Sequence, residues 1–348
     1  MNHYCTYFDT NYLAPGLALW TSLARHDAAA ILWVLALDED STAVLQSLGE
    51  PRLRVVKLGE LLAADPELAA AQTGRSRREF IFTLTPCLTR HLLRAHPEIG
   101  VLAYLDADLF FFADPAPVWR ALDGGSVLLV AHRYPAWHDD SALYGRYNVG
   151  VLGFRDDANG RACLDWWRAR CLESCALRAD GVHYGDQKYL DEWPRLFAGI
   201  VDAAHPGVNV APWNWAGHRF ELSPDGVRVD GAELIVFHFA QFRWIAGSWW
   251  DSGQLEYGIM PRRLRSPIYG PYVAALAAAE VAVRKTTPGY HLAAAGWRAA
   301  LGPWHLALLR LFWGQCWHRG SWWALGCGAG RWSGRCMGLY RRWRGRAE

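Results

Sequence analysis

The sequence has no uncharged apolar run of the length that spans a bilayer, about 18 residues or more, so we expect no membrane-spanning helix. Its eight cysteines never show the Cys-x-x-Cys spacing of a zinc site, and reduced thiols are the simplest interpretation. No basic and then apolar leader precedes the strand-like segment that starts at Tyr4. These absences predict a cytoplasmic protein.

Acidic residues are almost missing after Glu280, where only Glu348 opposes eleven basic residues. Tryptophans are interleaved with these cations from Trp297 onward, and the two residue types together suit the headgroup region of an anionic bilayer. We expect residues 261–348 to form a basic, tryptophan-rich extension, partly disordered and with a short interfacial helix at His305 to Phe312. Its predicted partner is the anionic inner face of the membrane. Binding of single-stranded nucleic acid by the same basic and aromatic residues is the alternative, but we expect no nucleic-acid partner.

Residues 1–260 alternate short apolar runs with helical patterns. The predicted strands are 4–8, 31–37, 53–57, 101–105, 126–131, 149–154 and 234–239, and the predicted helices are 12–23, 77–95, 159–175 and 186–193. Such alternation is typical of βαβ units and a largely parallel sheet. We therefore predict one α/β domain over 1–260, followed by the extension.

Two carboxylates, Asp106 and Asp108, end the apolar run 101–105. Like charges this close raise each other's pKa unless a cation lies between them, and oxygen ligands suit Mg²⁺ or Mn²⁺ better than zinc. A turn in which one Asp hydrogen-bonds the backbone is the other interpretation. The pair alone does not decide between them.

Five short motifs follow one another in the chain. They are Phe8-Asp9-Thr10-Asn11-Tyr12, Tyr104-Leu105-Asp106-Ala107-Asp108, Asn148-Val149-Gly150-Val151, Gly185-Asp186-Gln187, and Val236-Phe237-His238 with Arg243-Trp244. In this order the chain resembles the glycosyltransferases of family 8 over roughly residues 3–245. The resemblance implies the GT-A (Rossmann-like) fold, a mixed, mostly parallel sheet flanked by helices, and a nucleotide-sugar donor.

By this resemblance, Asp106, Asp108 and His238 are ligands of a divalent metal that carries the diphosphate of a UDP-sugar. Asp106 also lies near the ribose. The imidazole of His238 favours Mn²⁺ over Mg²⁺. Asp9 and Tyr12 would hold the uracil or ribose, although Asp9 also fits a helix N-cap.

The resemblance also implies the residues that face the sugar. Asn148 and Asp186 would hydrogen-bond its hydroxyls, Gly150 would let the backbone approach the donor, and Gln187 would lie beside the anomeric carbon. A helix cap is the alternative for Asp186. Asn214, in the aromatic stretch 205–215, is a further candidate for donor binding.

The closing segment departs from the family pattern. Arg243 stands near the position of the family's Lys, where it would neutralise the departing diphosphate, but Gln241 replaces a Gly and the Pro before Trp244 is absent. Arg78 would face the phosphates, or else belong to a solvated basic surface with its arginine neighbours.

The predicted function is a metal-dependent, retaining hexosyltransferase that uses a UDP-sugar and a glycan or lipid-linked acceptor, of the lipopolysaccharide or cell-surface polysaccharide type. Asp139 and Asp140 are the carboxylates that an inverting reaction would use as bases. The alternative is a catalytically silent module that binds a nucleotide-sugar or a polyanion and works through its basic tail.

Overall fold

A seven-stranded sheet lies at the centre of the computed structural model, which describes residues 2–178, 181–246, 249–254, 257–258, 260–292 and 316–318. The strands are β1 (Asn2–Phe8), β2 (Ala30–Ala36), β3 (Leu53–Lys57), β4 (Val101–Leu105), β5 (Leu109–Phe111), β6 (Val127–Ala131), β7 (Tyr147–Arg155), β8 (Ile200–Asp202), β9 (Phe220–Ser223), β10 (Gly226–Val229), β11 (Ala232–Glu233), β12 (Val236–His238), β13 (Arg243–Ala246), β14 (Trp249–Asp251) and β15 (Cys316–His318). The helices are α1 (Leu13–His26), α2 (Glu39–Ser47), α3 (Leu58–Ala64), α4 (Pro66–Thr73), α5 (Arg77–Ala95), α6 (Ala116–Arg120), α7 (Ser141–Tyr144), α8 (Ala158–Glu173), α9 (Trp193–Leu196) and α10 (Arg262–Val283).

The central sheet has the strand order β3-β2-β1-β4-β7-β6-β8. Neighbours are parallel throughout, except that β7 runs antiparallel to both β4 and β6. Smaller sheets pair β5 with β12, join β9, β10 and β11, and join β13, β14 and β15. The predicted mixed, mostly parallel sheet is confirmed.

Helices cover both faces of this sheet. Successive residues of a strand point to opposite faces, so Tyr4 and Phe8 of β1 join the core under α1 and α10, while Cys5 joins the core under α5 and α8. This burial of both faces explains the continuous apolar runs of the parallel strands. The fold class predicted from the sequence, α/β with flanking helices, is therefore confirmed.

The predicted elements match the observed ones where a local signal marks their ends. Helix α5 spans the predicted 77–95 because Ser76 and Glu79 form a reciprocal capping box at its start. The helix predicted from residue 12 instead begins as a 3-10 turn, Thr10–Tyr12, followed by α1. The predicted strand 234–239 is the shorter β12, and the predicted helix 186–193 is a 3-10 turn, Lys188–Glu192, followed by α9.

Helix α10 packs in the core that lies against α1 and the β5–β12 pair. Tyr272 stacks on Phe239 with ring centroids 3.9 Å apart, and Tyr290, after the helix, accepts a hydrogen bond from the Ala14 amide at 3.2 Å. Within the described part of the chain, no helix is long and apolar enough to cross a membrane. The interfacial helix predicted at 305–312 lies outside the described residues.

Candidate functional site

Four strand ends meet at one edge of the central sheet. Asp9 follows β1 and Asp106 follows β4, and these two strands are parallel neighbours. Asn148 lies at the start of β7, which runs the other way beside β4. His238 ends β12, which pairs with β5 just after Asp108. Topology therefore brings together polar residues that are far apart in the sequence.

Asp106, Asp108 and His238 form a cluster in which one ligand atom of each lies within 4.8 Å of the others. His238 Nε2 is 3.0 Å from Asp108 Oδ1 and 3.7 Å from Asp106 Oδ2. Two carboxylate oxygens and one imidazole nitrogen at these distances fit a divalent cation such as Mn²⁺. Of the two interpretations of the acidic pair, the geometry favours the metal site.

Asp106 is held in place by its neighbours. Tyr104 Oη donates to Asp106 Oδ1 at 2.8 Å, and the amide N–H of Asp106 donates to the Gly150 carbonyl at 2.9 Å. Burial raises the pKa of Asp106; the imidazole of His238 lowers it, the charge of Asp108 raises it, and the net shift is upward. A cation at this position relieves the repulsion between the two carboxylates.

His238 is buried and packed on three sides. Trp213 meets it edge-on with ring centroids 5.1 Å apart, and Asn209 Oδ1 lies 3.2 Å from its Nδ1. A Cβ on Gly150 would lie 2.7 Å from His238 Nδ1 and 2.6 Å from Asn148 Oδ1. Gly150 thus makes room for these two side chains, a reason that the sequence did not reveal. Burial lowers the pKa of His238, but the facing carboxylates of Asp108 and Asp106 raise it above its ordinary value.

Asn148, which is buried, and Gln187, which is half-buried, form an amide pair beside the cluster. Asn148 Nδ2 donates to Gln187 Oε1 at 3.1 Å, and Gln187 Nε2 donates to the Tyr144 carbonyl at 2.8 Å. Asn148 Oδ1 accepts from the Gly150 amide at 3.0 Å. His132 lies 3.4 Å from Asn148, and burial lowers the pKa of His132 to about 3, which leaves it neutral.

Asp186 is buried below this pair. Its Oδ2 accepts from Thr85 Oγ1 at 2.7 Å, and Thr85 Oγ1 is 3.1 Å from the hydroxyl of Tyr7. Burial raises the pKa of Asp186 to about 7, the hydrogen bond from Thr85 opposes that rise, and the charge of Asp106 adds to it. The alternative role of Asp186 as a helix cap does not match the structure, because the residue before the next 3-10 turn, Lys188–Glu192, is Gln187 and not Asp186.

Asp9, Tyr12 and Arg243 lie on the open side of the cluster. Asp9 accepts from the Asn11 amide at 3.0 Å and pairs with Arg77 Nη2 at 2.7 Å, so it caps the Thr10–Tyr12 turn and also holds a cation. The ring of Tyr12 is 46% exposed and lies within electrostatic reach of Asp108 and Arg243.

The structure places two candidates apart from this arrangement. Asn214 is fully buried, and its amide is engaged by the backbone of Ala211, His132 and Asn209 at 2.8–3.0 Å. Its side chain therefore holds the loop that contains Asn209, and donor binding by Asn214 stays a prediction. Arg78 is exposed on α5, and its neighbour Arg77 is the residue that reaches Asp9.

The residues that contact the site and were not predicted from the sequence include Asn209, His132 and Thr85. Each lies outside the five motifs and reaches the site through tertiary contacts. Asn209 has φ +56°, a left-handed conformation in which Asn is enriched, but this general preference does not single out Asn209 in the sequence. The sequence patterns of His132 and Thr85 are those of a strand end and a helix interior.

Sequence comparison finds relatives in one bacterium, and no family model matches the chain. The uncharacterized protein YfnF of Bacillus subtilis (strain 168) is 35% identical over 249 residues, which span 69% of this chain and 81% of YfnF. The uncharacterized protein YfnD of the same organism is 29% identical over 246 residues, 69% of this chain and 78% of YfnD.

Solved structures are similar at lower identity. Mouse xyloside xylosyltransferase 1 aligns with a TM-score of 0.46 and 15% identity over 69% of this chain and 98% of that chain. The galactosyltransferase LgtC, in complex with donor and acceptor sugar analogs, aligns with a TM-score of 0.47 and 16% identity over 79% of this chain and 95% of that chain.

Proposed function

The chain belongs to the family of the Bacillus subtilis protein YfnF, and we propose that it is a metal-dependent glycosyltransferase that takes a sugar from a nucleotide diphosphate donor. One observation carries the proposal. The cluster of Asp106, Asp108 and His238 adjoins the amide pair of Asn148 and Gln187, and Gly150 touches both. Such a site offers a place for a cation and its diphosphate next to hydrogen-bonding groups for a sugar.

Sugar transfer from a nucleotide diphosphate requires that the charge of the departing diphosphate be neutralised. Asp106, Asp108 and His238 would hold a divalent metal, which would supply electrostatic stabilisation of that charge. Arg243 adds a guanidinium, which can bind phosphate oxygens in a bidentate way. We propose Mn²⁺ as the metal, because one of the ligands is an imidazole, and UDP as the nucleotide, held by Asp9 and Tyr12.

The buried polar side chains would hold and orient the sugar ring. Asn148 Nδ2 donates to Gln187 Oε1 at 3.1 Å. This hydrogen bond already fixes the direction of both amides, which lowers the entropic cost of orienting a bound ring. Asp186 lies beneath them as a carboxyl group with a raised pKa. We propose a hexose as the transferred sugar, because these amide and carboxyl groups can hydrogen-bond to its hydroxyls.

We propose that the reaction retains the anomeric configuration. An inverting reaction needs a carboxylate base at the acceptor hydroxyl, and the two candidates are held within their own loop. Asp139 accepts from the Ser141 amide at 2.9 Å, and Asp140 pairs with His138 at 3.3 Å. In a retaining front-face reaction, the leaving phosphate oxygen accepts the proton of the acceptor instead.

The proposed acceptor is a glycan or a lipid-linked sugar at a membrane. The support is the composition after Glu280, with eleven basic residues against one acid and repeated tryptophans. Each basic residue near an anionic surface contributes about 1 kcal/mol to binding, so such a tail would hold the enzyme on the inner face of the membrane, where lipid-linked acceptors lie.

The decisive experiment incubates the protein with Mn²⁺ and a panel of UDP-sugars and measures release of UDP. We expect slow, Mn²⁺-dependent release with at least one donor. Asp108→Asn should reduce this rate by about 10²–10³, the effect of losing electrostatic stabilisation in an active site. The matched control is Asp123→Asn, which changes an exposed carboxylate and should leave the rate unchanged.

Two outcomes would contradict the proposal. UDP binding without release from any donor would favour a silent nucleotide-sugar binding module. Normal metal dependence in Asp108→Asn would show that the metal lies elsewhere.

A further inference from the structure

Asn209 lies behind the proposed metal ligand His238 and is fully buried. Its Oδ1 is 3.2 Å from His238 Nδ1. An amide oxygen accepts hydrogen bonds, so this contact places a proton on Nδ1. The carboxylates of Asp108 and Asp106 favour a second proton on Nε2, which a metal bound at Nε2 would displace. The lone pair that binds the metal is then that of Nε2, the nitrogen that faces Asp108 at 3.0 Å and Asp106 at 3.7 Å.

The conformation of Asn209 is unfavourable for folding in two ways. Its φ of +56° lies in the left-handed region, which disfavours residues with a Cβ. Its Nδ2 is buried and has no hydrogen-bond partner among the described residues, which leaves a desolvated donor unpaired. Residues held in such conformations cluster at functional sites, where the surrounding structure enforces them.

The surrounding loop enforces this conformation. Asn214 Nδ2 donates to the Asn209 carbonyl at 3.0 Å, and Asn214 Oδ1 accepts from the Ala211 amide at 2.9 Å. Arg133 donates to the carbonyls of His205 at 3.0 Å and Val208 at 3.1 Å. The loop is thus fixed on both sides of Asn209, and the amide is held against the imidazole.

We propose that Asn209 is a positioning residue of the metal site, which orients His238 and keeps its Nε2 available as a ligand. Residues that hold the far nitrogen of a metal-binding histidine commonly change metal affinity 10- to 100-fold when they are replaced. The inference rests on the proposed function, since it assumes that Asp106, Asp108 and His238 bind a metal.

The test compares two variants by titration of the metal-free protein with Mn²⁺, with and without UDP, followed by the electron paramagnetic resonance of free Mn²⁺. Asn209→Gly removes the acceptor and the left-handed strain, so we expect affinity to fall about 10- to 100-fold. Asn209→Asp keeps an oxygen at the same place and also tolerates left-handed backbone, so we expect affinity within about threefold of wild type. His238→Ala is the reference for loss of the ligand.

Thermal unfolding of the metal-free variants separates this role from a purely structural one. Replacement of a residue that only stabilises the fold would lower the melting temperature. We expect Asn209→Gly to melt near the wild-type temperature, because the removal of the left-handed strain and of the unpaired Nδ2 offsets the loss of the acceptor for His238 Nδ1. An unfolded Asn209→Gly variant, wild-type Mn²⁺ affinity in that variant, or equal loss in Asn209→Asp would each overturn the inference. Absence of Mn²⁺ binding by the wild-type protein would instead overturn the proposed metal site itself.

Discussion

Asp186 is a carboxylic acid that folding transfers from water into the protein interior. Its pKa rises to about 7 because it is buried, with the charge of Asp106 adding to the rise, whereas in the unfolded chain it returns to about 4. Between these values the folded protein holds a proton that the unfolded chain has released. Folding is therefore favoured at low pH by this group, and its contribution is lost as the pH rises through 7.

Asp186→Asn should remove this pH dependence. The amide is neutral at every pH, and its oxygen can still accept from Thr85. We expect the metal-free variant to match the wild type near pH 4 and to exceed it at pH 8, by up to about 1.4 kcal/mol for each pH unit between the two pKa values. Chemical denaturation from pH 4 to 8 measures the difference, and parallel profiles of the two proteins would contradict the assignment.

The residues that sequence analysis identified are those with a local signature. Asp106 and Asp108 stand out because charge ends an apolar run, and the structure places them with His238 as the resemblance implied. Asn209 shows what sequence could not reveal: its importance depends on a backbone angle and on a contact with a residue on another strand. Asn214 was singled out in the same stretch, yet its polar atoms all serve the loop.

The turn between β12 and β13 has a left-handed residue, Gln241, at the position where the family resemblance leads us to expect a Gly. Gln241 occupies the place of a family Gly and has φ +63°. The turn closes through the Phe242 amide, which donates to the Phe239 carbonyl at 3.0 Å, and a Cβ on Gly253 would lie 2.6 Å from the Ala240 carbonyl oxygen. The backbone thus keeps a left-handed position without the residue that tolerates it best.

Substitutions at Gln241 should follow backbone preference. We expect Gln241→Gly to be neutral or stabilising by up to about 1 kcal/mol, because relief of the left-handed conformation is partly offset by the larger entropy of unfolded Gly. Gln241→Val should destabilise, since a β-branched residue is least tolerated there. Equilibrium denaturation measures both, and equal effects of Gly and Val would show that the turn is not left-handed in solution.

At the level of elements, prediction succeeded where short-range chemistry determines a boundary. The capping box of Ser76 and Glu79 marks the start of α5 in the sequence itself. The β9–β10–β11 sheet was not predicted, because its strands have two to four residues and carry too little alternation to recognise. The direction of β7 depends on which strands it joins, and no local pattern encodes that.

Helix α10 supports the site from behind, although it follows the proposed domain boundary at residue 260. Tyr272 stacks on Phe239 and also meets Phe110 with ring centroids 5.8 Å apart. Phe239 directly follows His238, and its amide donates to the Asp108 carbonyl at 2.9 Å. The packing of α10 and the geometry of the Asp106, Asp108 and His238 cluster are therefore linked through this aromatic group.

Truncations after Met260 and after Leu292 should therefore behave differently. The shorter chain lacks α10 and exposes the apolar surface beneath it, so we expect it to aggregate or unfold. The longer chain keeps α10 and Tyr290 and should show wild-type circular dichroism and cooperative unfolding.

Vesicle flotation with the chain truncated after Leu292 tests the tail. We expect it to lose binding to anionic vesicles that the full chain retains, with zwitterionic vesicles as the control.

A stable fold in the chain that ends at Met260 would contradict the structural role of α10. Unchanged flotation without residues 293–348 would contradict the role of the tail.

The β5–β12 ladder joins Leu109 to His238, which are separated by about a third of the chain. During synthesis the chain emerges from its N-terminus, so both aspartates leave the ribosome long before the histidine and the loop that holds it. Closing such a long loop costs conformational entropy before the contacts between its ends can stabilise the fold, so these contacts form late. The proposed set of metal ligands is therefore complete only after about two thirds of the chain has been translated, when His238 can pair with the strand that follows the two aspartates.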